Sequence, residues 1–79
     1  MNQERTHEQP HAKEFGLKVT EVDRTRGHVC IEYGGRNYKW FLREDGRTVL
    51  LLNEDEGSLS DELTTAMKNQ VRAILTPEL

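Results

Sequence analysis

Residues 28–52, HVCIEYGGRNYKWFLREDGRTVLLL, decide the fold. Val29, Ile31 and Tyr33 alternate with His28, Cys30 and Glu32, and Tyr38, Trp40 and Leu42 alternate with Lys39, Phe41 and Arg43. A period of two marks strands with one buried and one outer face. Between the two runs stands Gly34–Gly35, a pair suited to the positive φ angles of a two-residue hairpin loop. With those glycines as the loop, Tyr33 pairs with Arg36, Ile31 faces Tyr38 and Val29 faces Trp40. Asp45–Gly46 is a second hairpin signal. Taken as a two-residue loop, it pairs Glu44 with Arg47 and sets Leu42 opposite Val49 and Trp40 opposite Leu51. The same apolar face continues, whereas a slip of one residue in either turn would throw these side chains to opposite faces.

Upstream the pattern is less regular. A turn over Arg24–Gly27 pairs Val22 with Val29 but leaves Leu17 and Val19 out of phase, and a bulge near Thr20–Glu21 returns them to the apolar face. Downstream, Ser60 suits a helix N-cap, and Asp61 and Glu62 suit the positive end of the helix dipole. Leu63, Met67, Val71 and Ile74 then form one apolar stripe, and Thr76–Pro77 stops the helix. The stripe belongs on the Val29/Ile31/Tyr38/Trp40/Leu51 face of the sheet, which makes Tyr33, Tyr38 and Trp40 core residues. The expected fold is α+β: a four-stranded antiparallel β-meander followed by one C-terminal amphipathic helix packed on one sheet face. Residues 15–79 form that single ββββα domain. Residues 1–14 offer a core only Met1 and Ala12 and are expected to be a flexible, disordered polar tail.

A chain of 79 residues has room for one domain, and such a domain buries only about 60% of its unfolded surface. Cys30 is the only cysteine, so no disulfide forms within the chain. A lone cysteine and no signal-like segment fit a reducing, cytoplasmic setting. The longest apolar run, Val49–Leu52, is far short of a membrane span, which needs about 20 residues, and no lipidation signal stands at either end. The net charge of −3 is unevenly laid out. Residues 15–53 carry seven basic and five acidic side chains, whereas residues 54–79 carry two basic and six acidic ones. That excess is weak for a dedicated nucleic-acid binder.

His7–Glu8–Gln9–Pro10–His11 matches the H-E-x-x-H pattern of zinc proteases, which works by placing both histidines on one helix face. Pro10 defeats that geometry, since a proline inside a helix costs about 3 kcal/mol. The match is read as coincidence. His28 and Cys30 project to one side of the second strand, but a tetrahedral metal site needs four ligands, and no rigidly spaced second pair exists. A Cys30–His28 nucleophile lacks a third group to orient the histidine. No Gly-rich phosphate loop or carboxylate pair is present. The expectation is no enzyme, no metal and no cofactor.

Two surfaces remain. Cys30, Phe41, Leu50 and Leu52 project away from the helix side, and one helix cannot cover both faces. An apolar patch of this kind marks an interaction surface. The leading expectation is therefore a non-catalytic binding or regulatory module, with a protein partner or a second copy in a homodimer docking on those four residues. The competing explanation is that the segment around Phe15 folds back over them. The second surface is an arginine-rich hairpin end: in a meander the first and third turns share one end of the sheet, which gathers Arg24, Arg26, Arg43 and Arg47. Its functional reading is weak binding of nucleic acid or another anionic ligand; its plain reading is a solvated, partly paired loop end.

Overall fold

A computed structural model of the chain describes residues 15–76. The tail over residues 1–14, the H-E-x-x-H match and Pro77 lie outside the described residues. Four strands form one antiparallel sheet in the order β1 (Lys18–Asp23), β2 (His28–Tyr33), β3 (Arg36–Leu42) and β4 (Val49–Leu51). A short 3-10 turn over Glu56–Ser58 leads into the helix α1 (Asp61–Leu75). The architecture is the α+β meander with a C-terminal helix that the residue pattern calls for.

The registers follow from the turns. Gly34 and Gly35 hold φ of 59° and 82°, so the β2–β3 loop has two residues, and Tyr33 meets Arg36, Ile31 meets Tyr38 and Val29 meets Trp40. In the β1–β2 pair the register shifts between Val19 and Glu21, the bulge that brings Val19 opposite Ile31 while Val22 meets Val29.

The β3–β4 connection keeps its expected register, with Leu42, Phe41 and Trp40 opposite Val49, Leu50 and Leu51. Its loop, however, is four residues long instead of two, and Glu44 and Arg47 lie within it. The Arg43 N–H donates to the Thr48 carbonyl at 2.8 Å, but the Gly46 N–H takes the Arg43 carbonyl at 3.0 Å. The Thr48 N–H is thereby released, and Asp45 captures it. One Asp45 carboxylate oxygen accepts from the N–H of Arg47 (2.8 Å) and of Thr48 (2.9 Å), and the other accepts from the Thr48 hydroxyl at 2.6 Å. These donors, the Thr48 hydroxyl first, hold the Asp45 carboxyl far below its ordinary range.

Past Leu52 the ladder is continued by a side chain. The Asn53 amide donates to the Asn37 carbonyl and accepts from the Lys39 N–H, both at 2.9 Å. It thus satisfies two β3 backbone groups that β4 is too short to reach.

The core lies between the sheet and α1. Val29, Ile31, Tyr38, Trp40 and Val49 meet Leu63, Met67 and Val71 there, with Phe15, Leu17 and Val19 packed at its margin. Trp40, Ile31, Met67, Val29 and Val71 are fully buried, each worth about 1.5–3 kcal/mol over exposure. The Ser60 hydroxyl accepts from the Leu63 N–H at 3.1 Å as N-cap. Arg24 reaches across to the Ile74 carbonyl at 2.8 Å, and Arg72 donates to the Arg47 carbonyl at 2.6 Å. The C-terminal end of α1 is thus tied to both the first and third turns.

Candidate functional site on the outer sheet face

The registers lay out the outer face as rows across the strands. One row runs Asp23, His28, Phe41, Leu50; the next runs Glu21, Cys30, Lys39 and Leu52, whose N–H donates to the Lys39 carbonyl at 2.8 Å. Phe41, Leu50 and Leu52 therefore adjoin one another on the β3–β4 side. Leu52 is 48% exposed and Leu50 37%. Phe41 is half-buried: the His28 ring stands edge-on to it at 5.6 Å and 83°, and a Cβ added at Gly27 would come within 3.8 Å of the Phe41 ring.

Cys30 is set apart from that strip. Lys39 stands between it and Leu52, and it shares a polar concavity of about 240 Å³ with Glu21, Asp23, Arg26, His28 and Lys39. Burial, reinforced by the Glu21 charge, pushes its thiol pKa up, the opposite of what an activated nucleophile needs. Among the described residues no group of three His, Cys, Asp or Glu side chains converges to hold a metal ion.

Phe15 does not fold back over this face. It packs beside Asp61, Glu62 and Thr65 at the start of α1, on the helix side of the sheet. The helix side also explains Val22, which is 38% exposed because α1 lies over β3 and β4 rather than β1.

The four arginines of the hairpin end divide into two pairs. Arg24 is committed to the helix C-terminus, where a cation also offsets the dipole. Arg26 pairs with Asp23 at 3.2 Å, and the Arg26 backbone N–H followed by its guanidinium keeps the Asp23 carboxyl below its ordinary range. Arg43 and Arg47 are exposed and have no ion-pair partner among the described residues. Arg43 shares a shallow concavity with Phe41, Glu44, Asp45 and Thr48, so it borders the apolar strip. At the other end of the sheet Arg36 pairs with Glu54 and Lys68 with Glu56, both at 3.2 Å.

Asn53 and the Asp45 capture were missed by pattern reasoning; an asparagine directly after an apolar strand is the one signal that points to the former. No family model, curated protein or solved structure matches the chain. No helix among the described residues is long and apolar enough to cross a membrane.

Proposed function

We propose that this protein is a small non-catalytic binding module that engages a protein partner through the outer sheet face, with Phe41, Leu50 and Leu52 as its anchors. The observation that supports this most is the contiguous strip these residues make on the face opposite α1, with Leu50 and Leu52 left open to solvent. Apolar side chains exposed together in a small domain favour association, since each Å² of apolar surface removed from water contributes about 25 cal/mol against the entropic cost of binding. The raised thiol pKa of Cys30 and the distribution of polar groups around it give no support to nucleophilic chemistry. A reducing, cytoplasmic setting suits the single thiol.

Affinity capture from the source cells with the full chain, with and without nuclease, tests the reading. A stoichiometric protein partner that survives nuclease and is lost with Phe41→Glu, and independently with the more exposed Leu52→Glu, supports it. Recovery that vanishes with nuclease and with Arg43→Glu/Arg47→Glu moves the function to the arginine end, where binding falls steeply as salt rises.

A further inference from the structure

The chemistry of the partner is written in the border of the strip. Alternation along β3 places Lys39, Phe41 and Arg43 on the same outer face, and cross-strand pairing puts Leu50 and Leu52 beside them. Most other cations of the described chain are engaged. Arg24 holds the Ile74 carbonyl, Arg26 pairs with Asp23, Arg36 with Glu54 and Lys68 with Glu56, and Arg72 holds the Arg47 carbonyl. Lys39 and Arg43 are exposed and have no ion-pair partner among the described residues. Asp45, in the adjoining loop, has its carboxylate occupied by the Thr48 hydroxyl and two backbone N–H groups. An apolar strip flanked at both ends by exposed cations without an ion pair among the described residues is complementary to an apolar segment flanked by carboxylates.

We infer that the outer face binds an acidic segment of another protein, one that sets aliphatic or aromatic side chains between carboxylates matched to Lys39 and Arg43. This rests on the outer face being the binding surface. The spacing sets the partner's pattern: four residues along β3 separate the two cations by about 13 Å. An extended segment meets that distance with carboxylates four residues apart, and a helix with carboxylates about two turns apart. Nucleic acid fits less well. Leu50 and Leu52 offer no stacking surface, Phe41 is half-buried with the His28 ring against it, and two cations neutralise few phosphates.

The experiment is selection of a random 16-residue displayed peptide library on the immobilised full chain, followed by fluorescence-polarisation titration of the selected peptides. The expected peptides are acidic with Leu, Ile or Phe between the carboxylates. Their affinity falls about tenfold or more on Lys39→Glu/Arg43→Glu and recovers when their carboxylates are exchanged for lysines. Peptides that lose binding with Leu52→Glu but ignore the charge reversal overturn this inference and leave the outer face as the binding surface. Peptides indifferent to Leu52→Glu, or no enrichment at all, overturn both. A (dT)20 strand that binds more tightly than any selected peptide and depends on Lys39 and Arg43 makes the ligand nucleic acid, and overturns the inference in its favour.

Discussion

Replacing Gly27 by alanine tests how the first turn is locked against the third strand. Gly27 holds φ of +74°, and a Cβ there would lie 3.0 Å from the Leu42 carbonyl oxygen and 3.8 Å from the Phe41 ring. That oxygen has little freedom, because the Leu42 N–H donates to the Gly27 carbonyl at 2.9 Å and pins the two segments together. Left-handed backbone costs an L-residue about 1–2 kcal/mol, and alanine regains about 0.4–1 kcal/mol by restricting the unfolded chain. Gly34→Ala carries only those terms, since its φ is +59° and nothing lies within 4 Å of the added Cβ. Gly27→Ala must also stretch or break a backbone hydrogen bond, a further loss of about 1 kcal/mol. In a domain of this size 1 kcal/mol shifts Tm by about 4–8 °C. Thermal unfolding followed by circular dichroism should therefore place Gly27→Ala about 4–8 °C below Gly34→Ala. Equal midpoints, or the reverse order, would refute the close approach of the first turn to β3.

Other outcomes follow from the same geometry. Asn53→Ala removes both ladder bonds beyond β4, a loss of about 1–2 kcal/mol at this exposed site; it should lower Tm by about 5–15 °C and speed exchange of the Lys39 amide, and an unchanged Lys39 amide would sink the idea. Asp45 bears on acid stability. Its carboxyl titrates below its ordinary value of 3.8 in the folded protein, so its contribution is complete above that value and is lost as pH falls beneath it. The stability gap between wild type and Asp45→Asn should accordingly be widest near neutrality and narrow between about pH 4 and pH 2; a gap that stays constant over that range would contradict the hydrogen-bonded carboxylate. Arg24→Ala should loosen the last turn of α1, seen as faster exchange of the Thr76 amide, while leaving nuclease-resistant partner capture intact; loss of that capture would bring Arg24 into the binding surface.

Much of the fold could be read from residue order because independent signals converged on it. Gly34–Gly35 and Asp45–Gly46 each fix a register, and both keep Val29, Ile31, Tyr38, Trp40 and Leu51 on one face, so an error in either would have shown as a broken face. The bulge at Thr20 was readable for the same reason, since Val19 and Val22 can share that face only if one residue is added between them. The β3–β4 loop was misjudged because its length depends on the Asp45 carboxylate taking the Thr48 N–H, an interaction that leaves no mark on the apolar pattern. The bond from Arg24 to the Ile74 carbonyl was not readable because its acceptor lies 50 residues away and depends on where α1 ends over the sheet.

The candidate site shows both sides of this. Alternation correctly assigned Phe41, Leu50 and Leu52 to the face without the helix, and counting from the Gly34–Gly35 turn already put Lys39 opposite Cys30. Cys30 is thereby parted from the apolar strip and set among Glu21, Asp23 and His28. What residue order does not carry is shielding: Phe41 counts as open by alternation, yet it is half-buried with the His28 ring edge-on against it. The exposed part of the strip therefore falls mainly on Leu50 and Leu52.

The most direct measurement is site-specific photocrosslinking in the source cells, with a benzophenone side chain placed at Leu52 on the outer face or at the exposed Ala73 on α1. If the outer sheet face is the binding surface, irradiation yields a discrete protein adduct from position 52 and none from position 73. An adduct from position 73 alone, or equal adducts from both, would place the contact elsewhere on the molecule and contradict the proposed function.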